Sequence, residues 1–227
     1  MSRLSPETRT RLIEAFAFHA PVPLKRWTSA RFGLPLRPEV RRAGVIFIHI
    51  PKNAGTTVST QLYGGHIGHR SARFYRASDP AFFAAAPSFA ISRDPLERFL
   101  SAFHFARQGG SASVPASPAA TAFAQTFASP EACAEHIAAI GPAARDRLDP
   151  VFRSQSHYVC DEDGALMIGQ LLRIEAIEGQ EIEIAGHRLS LAARTNAGGT
   201  KAAPTPALAK AVLAAYADDY TLLERLP

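Results

Sequence analysis

Short apolar runs, each followed by turn residues and a helical pattern, organise the first half of the chain. Residues 45–50 form a nearly continuous apolar run, Val-Ile-Phe-Ile-His-Ile, in which β-branched side chains predominate. This pattern is typical of a strand buried on both faces of a parallel sheet. It predicts a turn over 51–57, a short helix from Thr57 to Tyr63 that ends at two glycines, and a second strand from Ser88 to Ser92.

Capping residues mark where the helices begin. Residues 94–97, Asp-Pro-Leu-Glu, supply a cap, a first-turn proline and a glutamate at the third helical position, and apolar residues at helical spacing extend the pattern to Phe103. The pattern also predicts helices from Ser5, over 131–148 and from Thr205 to Leu226, and a hairpin strand at 181–190. Strand, turn and helix repeated twice predict an α/β fold with a parallel sheet flanked by helices.

Two stretches lack a regular pattern. We expect residues 24–43 to form an irregular basic connection, and residues 109–130, rich in Ser, Gly, Pro and Ala, to form a mobile low-complexity loop. The chain is therefore divided into a basic N-terminal helical segment and connection, 1–43, and a domain over 44–227.

Composition and charge narrow the class of protein. The chain has 227 residues and is 47% hydrophobic, enough for a globular core. Cys133 and Cys160 are too few for a disulfide framework, and no segment has the pattern of a secretory signal or a membrane span. We therefore expect a soluble, cytoplasmic protein. Residues 1–43 carry a charge of +6 and the remainder −1, so the overall charge gives little indication of nucleic-acid binding. The sequence does not indicate an oligomeric state.

The turn after the first predicted strand has the composition of an anion site. Residues 51–57 read Pro-Lys-Asn-Ala-Gly-Thr-Thr between the strand and the helix. Main-chain N–H groups at a helix start attract anions, and small residues at Ala54 and Gly55 allow close approach. Thr56 and Thr57 add hydroxyl donors, while Lys52, among only four lysines in the chain, adds a mobile charge. Because the lysine precedes the glycine, the order differs from that of a nucleotide P-loop.

A second anion contact is predicted at the end of the second strand. Arg93 follows that strand, and Ser101 lies eight residues later, a little over two helical turns away. In an open α/β sheet, ligands bind at the carboxyl ends of the strands, where the Lys52 turn and Arg93 would both lie. The alternatives are an ion pair of Arg93 with Asp94 or Glu97, and a helix-bonded Ser101.

These two motifs resemble those of sulfotransferases that use 3′-phosphoadenosine 5′-phosphosulfate (PAPS). Residues 47–57 are similar to the family's 5′-phosphosulfate loop, and residues 91–103 to its 3′-phosphate segment. Looser similarity extends over 152–158, 172–175, Asn196 and 216–220. The resemblance is closest to the carbohydrate-type branch and implies a P-loop-type sheet, PAPS as co-substrate and no metal.

The resemblance also implies roles for the residues of both motifs. Lys52 would contact the bridging oxygen and the leaving phosphate of PAPS, and Arg93 with Ser101 would hold the 3′-phosphate. The 5′-phosphate would be held by main-chain amides of Asn53, Ala54, Gly55, Thr56 and Thr57. The reaction implied is in-line transfer of the sulfuryl group to a hydroxyl or amine of a carbohydrate.

An alcohol acceptor needs a base, and the candidates are His66 and His69, which closely follow the loop helix. His69 is preferred because residues 68–72 resemble a Gly-His-x-x-Ala stretch of bacterial relatives; the alternative is that it caps a helix or only binds the acceptor. His104 and His157 are less favoured, and His49 is expected to be structural. Nearby arginines could bind an anionic acceptor or form a solvated helix face: Arg70, Arg73 and Arg76.

Two other functions fit the same sequence. The first is an ATP-dependent kinase on a P-loop scaffold, and the second is a non-catalytic relative that binds polyanions through the basic residues 1–43. Retention of Lys52, Arg93 and Ser101 together disfavours the second function. Binding of adenosine 3′,5′-bisphosphate without Mg²⁺ would distinguish the sulfotransferase from the kinase.

Overall fold

The computed structural model describes Leu12 and residues 36–111, 114–191 and 203–225. Its helices are α1 (Pro38–Ala43), α2 (Gly55–Tyr63), α3 (Ala72–Ser78), α4 (Pro80–Ala85), α5 (Pro95–Arg107), α6 (Pro118–Gln125), α7 (Pro130–Arg145), α8 (Gln155–Val159), α9 (Ile174–Ile177), α10 (Pro206–Ala215) and α11 (Ala217–Glu224). Its strands are β1 (Ile46–Ile48), β2 (Ser88–Ser92), β3 (Gln170–Arg173), β4 (Glu181–Ile184) and β5 (His187–Ser190), with a 3₁₀ turn at Pro150–Phe152.

A parallel sheet lies at the centre of the described chain and positions the loops of interest. Among the described residues, β2 pairs with β1 on one side and with β3 on the other, both in parallel. All of β1 and nearly all of β2 are buried, as expected for apolar runs covered on both faces. The predicted α/β fold with a parallel sheet flanked by helices is confirmed. The turns that follow β1 and β2 consequently leave the same edge of the sheet.

The predicted hairpin over 181–190 is confirmed as β4 and β5, which pair antiparallel. Ala185 and Gly186 connect the two strands with φ angles of 52° and 79°. Two consecutive left-handed residues make the tight turn whose twist suits a hairpin.

Buried apolar side chains form two clusters within the described ranges. The first surrounds the sheet and includes Phe47, Phe89 and Tyr75. The second gathers α5, α6, α7 and α10 around Phe152 and Phe99. Among the described helices, none combines the length and apolar character needed to cross a lipid bilayer.

Several local expectations were wrong. The stretch 109–130 contains α6, whose Phe123 packs 5.1 Å from Phe152 between ring centres, so the second core orders a segment that composition alone marks as a loop. The connection 24–43 contains α1, which buries Val40 in the first core.

The predicted ends of two helices also differ from the structure. The predicted helix over 131–148 is interrupted at Gly141 and ends at Arg145, and the C-terminal helix is divided at Tyr216. Apart from Leu12, the helix expected from Ser5 lies outside the described residues.

Candidate functional site

The turn between β1 and α2 has an unusual backbone. Lys52 and Ala54 adopt left-handed φ angles of 71° and 60°, which are uncommon for residues with a Cβ. Ala54 is the residue before the first turn of α2, and it offers no side-chain cap to that turn, which also contains no acidic residue. Thr56 and Thr57 are exposed beside it. An exposed helix start without a side-chain cap is suited to receive an anion.

Gly55 is required by packing against His49. A Cβ placed on Gly55 would lie 2.0 Å from Cδ2 and 2.4 Å from Nε2 of the His49 ring. His49 is 3% exposed and follows the last residue of β1. The expectation that His49 is structural therefore has a geometric basis, because its buried ring packs directly against Gly55 at the end of the turn.

Asn53 holds the turn from inside. Its Nδ2 donates to the main-chain oxygen of Ile91 and to Oε1 of Gln155, each at 2.8 Å. Asn53 is 1% exposed, so its side chain ties the turn to the end of β2, while the N–H of Thr57, one of the amides predicted to bind the phosphate, donates to the main-chain oxygen of Ala54.

Gln155 joins the Lys52 turn to the Arg93 turn. Its Oε1 also accepts from the main-chain N–H of Arg93 at 2.9 Å, and its Nε2 donates to the main-chain oxygen of Arg93 at 2.8 Å. Gln155 is fully buried, and its own N–H donates to Asp219. The two turns predicted to share a ligand are thus fixed side by side through a single amide side chain.

The side chains of Lys52 and Arg93 lie along the same face of α5. Lys52 Nζ is 3.9 Å from the centre of the Phe105 ring, and Arg93 Nη2 is 3.0 Å from Oε2 of Glu97. Glu97, Ser101 and Phe105 are spaced by four residues and therefore share a helix face. Half-buried Ser101 lies between the two contacts, which are about 12 Å apart along the helix axis.

The ion pair of Arg93 with Glu97, which was the alternative to an anion contact at Arg93, is present in the structure. The side chain of Arg93 is 9% exposed and that of Glu97 is 45% exposed, so solvent screens the pair from the Glu97 side. A phosphate accepts bidentate, charge-assisted bonds from a guanidinium. A phosphate that binds at Arg93 would have to share the guanidinium with Glu97 or displace it.

His69 is held in one orientation beside the loop. Its Nδ1–H donates to the main-chain oxygen of His49 at 3.0 Å, and its ring centre is 4.4 Å from that of His49. Burial lowers the pKa of His69 to about 4, against the opposing effect of the hydrogen bond. His69 is therefore neutral at neutral pH, with the lone pair on Nε2.

His66 is the exposed member of the same group of rings. Its ring centre is 5.1 Å from that of His69, and its Nδ1 accepts the N–H of Gly68 at 3.1 Å. Partial burial, followed by the charges of Arg37 and Arg70, lowers the pKa of His66. Both predicted base candidates are thus brought together as neutral imidazoles.

The arginines predicted to bind an anionic acceptor do not converge. Arg70 stacks over Phe74 at 5.3 Å and lies near His66. Arg73 is buried and donates to the main-chain oxygen of His157, while Arg76 faces Glu162 at 3.7 Å. Arg70 alone of the three is thus found beside the predicted base candidates.

A cavity of about 510 Å³ lies elsewhere and has the wrong charge for PAPS. Its lining includes Arg73 and His157, but also five carboxylates: Asp146, Asp161, Glu162, Asp163 and Asp218. Such a lining repels a polyanion. We therefore assign the candidate site to the two turns at the sheet edge.

Sequence reasoning missed the residues that support the site from behind. Arg98 is 1% exposed and donates to the main-chain oxygens of Pro51 and Arg153 at 3.3 and 2.7 Å. Gln155 and Arg98 both fall inside the segments that carry the resemblance, which is the signal that could have found them.

The arrangement can bind two anionic groups along α5 and hold a neutral imidazole near one of them. Main-chain amides at Gly55 and the charge of Lys52 serve the first anion, and Arg93 with Ser101 serves the second. Comparison with protein-family models, with curated proteins and with solved structures finds no match to this chain.

Proposed function

We propose that this protein is a sulfotransferase on a P-loop-type scaffold, transferring the sulfuryl group of PAPS to a hydroxyl or amine of a carbohydrate. The observation that carries the proposal is the placement of Lys52 and Arg93 along one face of α5. A ligand that carries two phosphates could contact both cationic groups, since the α5 residues beside them, Glu97 and Phe105, are about 12 Å apart along the helix axis. The geometry fits such a ligand better than it fits a single phosphate.

In the proposed reaction, each residue of the two turns has one task. Lys52 leaves the ring of Phe105, a contact that costs about 1 kcal/mol to give up, and offsets charge on the departing 5′-phosphate. The amides at the start of α2 hold that phosphate in place. Arg93 and Ser101 hold the 3′-phosphate at the other end.

His69 takes the proton of the acceptor. The acceptor oxygen forms a bond to sulfur while the bond between sulfur and the phosphate oxygen breaks, and the acceptor proton passes to Nε2 of His69. The hydrogen bond from Nδ1 to the carbonyl of His49 fixes the tautomer that this step requires. The proton then passes to solvent.

Binding of adenosine 3′,5′-bisphosphate, measured by titration calorimetry without Mg²⁺, tests the donor site. We expect binding by the full chain, and a loss of affinity of at least about tenfold in Lys52→Ala and in Arg93→Ala, since each removes a charge-assisted contact. Lys210→Ala and Arg42→Ala are matched controls, because both side chains are exposed outside the site. Their affinity should equal that of the unchanged chain.

Transfer itself is tested with labelled PAPS and a panel of glycans, glycolipids and phenols. We expect label on a glycan, and near-complete loss of transfer in Lys52→Ala with the fold retained. Normal turnover in Lys52→Ala would contradict the assignment. Tight binding of Mg²⁺–ATP with no binding of the bisphosphate would favour a kinase, and salt-sensitive heparin binding without nucleotide affinity would favour a polyanion-binding protein.

A further inference from the structure

Three imidazoles converge beside the loop in a way that general base catalysis does not require. His49, His66 and His69 each offer one ring nitrogen, and these three atoms all lie within 4.8 Å of one another. The ring centres are 4.4, 4.9 and 5.1 Å apart. Three imidazoles on a tetrahedral Zn²⁺, with Zn–N bonds of about 2.0–2.1 Å, place their ring centres about 5 Å apart. The rings therefore already stand at the spacing of a metal site.

The protonation states of the three rings suit a metal ligand. Burial is the main reason that the pKa of each ring lies below its ordinary value, and the neutral imidazole is the form that binds metals. The donation from Nδ1 of His69 to a main-chain carbonyl is the outer contact that orients metal-binding histidines. It leaves Nε2 as the ligand atom.

His49 supplies an independent observation. Its Nδ1 is buried and has no hydrogen-bond partner within the part of the chain that the structure describes. Buried polar nitrogens are almost always paired, and an unpaired one requires an explanation. The ring that carries it packs edge-on against both His66 and His69.

We propose that His49, His66 and His69 bind one divalent transition-metal ion of the Zn²⁺ class through three imidazole nitrogens. Imidazole selects Zn²⁺, Cu²⁺ or Ni²⁺ over Mg²⁺ and Ca²⁺, which prefer oxygen. Three protein ligands leave the fourth position open. The nearby charges of Arg37 and Arg70 favour an anion such as hydroxide at that position.

Binding requires a small local movement. A tetrahedral ion brings its nitrogens to about 3.4 Å from one another, so the rings, whose centres already have the required spacing, must turn these nitrogens toward a common point. His66 must also release the N–H of Gly68. Because His66 is exposed, its ring can rotate without disturbing the core.

The metal site does not rest on the proposed transfer reaction. The ligands belong to the three histidines, whereas the bisphosphate contacts belong to Lys52, Arg93 and the start of α2. Nε2 of His69 cannot bind a metal and accept a proton at the same time, so the two proposals describe different states of the protein, and a chain loaded with Zn²⁺ should lose the transfer that depends on His69. Metal binding and bisphosphate binding are consequently tested by separate experiments. A negative result in one does not contradict the other.

Metal titration of the full chain, free of any histidine tag, tests the proposal. We expect one Zn²⁺ per chain by calorimetry, and the intense visible absorption of tetrahedral Co²⁺ when Co²⁺ is used as the probe. His66→Ala and His69→Ala should each weaken Zn²⁺ binding by at least about tenfold and abolish the Co²⁺ absorption. His104→Ala removes an exposed histidine outside the cluster and should change neither.

Three results would overturn the proposal. They are no uptake of Zn²⁺ or Co²⁺ by the folded chain, binding that is unchanged in both His66→Ala and His69→Ala, and an equal loss in His104→Ala. His66→Ala is the decisive variant. The imidazole of His66 is exposed, so its removal should leave the fold intact.

Discussion

At the scale of single residues, Gly55 begins α2 because no side chain fits above the ring of His49. The composition of the turn suggests that the glycine admits a ligand, and the structure adds a reason internal to the fold, a Cβ position only 2.0 Å from Cδ2 of the ring. Sequence order could not supply this reason, since the contact depends on how the chain turns back over the end of β1.

We expect Gly55→Ala to lower the free energy of unfolding by about 2 kcal/mol, the usual cost of overpacking. The same change in a His49→Ala background should cost nothing, because alanine is otherwise the better helix former. Urea unfolding of the four proteins of this double-mutant cycle measures the coupling. Equal costs in both backgrounds would show that the ring is not the obstacle.

At the scale of elements, the helices and strands with a strong local sequence pattern were predictable, and those with a weak pattern were not. The run before Lys52 predicts β1, and Ser88–Ser92 is found as β2 with the predicted bounds, since buried parallel strands need continuous apolar residues. Helix α4 and strand β3 were not predicted, and a helix at α3 was given only as the alternative of a solvated arginine face, in which Arg73 proves to be buried. β3 has an exposed residue at each end, Gln170 and Arg173, and its pairing with β2, rather than its own sequence, makes it a strand.

In the candidate site too, some features were predictable from the sequence and others were not. The Lys52 turn and the Arg93 turn were predictable as neighbours, because both follow strands of one parallel sheet. The hydrogen bonds through Gln155 that join the two turns were not predictable, since Gln155 lies 102 positions from Asn53 in the sequence. Local patterns place residues on elements, and long-range hydrogen bonds decide how the elements are held together.

We expect Gln155→Leu to lower the free energy of unfolding by about 3 kcal/mol, because it leaves the N–H and C=O of Arg93 buried without their partner. It should also weaken bisphosphate binding by misplacing both turns. Gln125→Leu is the matched control, since Gln125 is exposed on α6, and should change stability by less than about 0.5 kcal/mol. Urea unfolding and calorimetry measure the two effects, and the prediction is wrong if the two variants behave alike.

At the scale of the whole molecule, a network of buried and partly buried charges joins α7 to the C-terminal helices α10 and α11. Arg145 is 1% exposed and bonds to Asp218 and to the main-chain oxygen of Ala215. Asp146 accepts from Arg145 and from the N–H of Ser154. Although burial opposes its ionisation, the His157 ring 3.7 Å away and the bonds from Arg145 hold the pKa of Asp146 below its ordinary value.

Asp146→Asn should therefore destabilise the protein in a pH-dependent manner. A carboxylate with a lowered folded-state pKa contributes stability above its unfolded pKa of about 3.9, and loses it as the pH falls further. We expect Asp146→Asn to cost about 3 kcal/mol near pH 7, and the gap to the unchanged chain to shrink below about pH 4. Urea unfolding across this range measures the gap, and a constant gap would contradict the role given to the charge.

The dependence of the Lys52 turn on Gln155 also governs when it can form during synthesis. Asn53 leaves the ribosome long before Gln155, to which it binds. Asp219, which accepts the N–H of Gln155, is synthesised another 64 residues later. Contacts between residues so far apart in sequence form late in folding. During most of its synthesis, the chain therefore lacks the hydrogen bonds that fix this turn. The turn can bind an anion only after the segment around Asp219 has packed against Gln155.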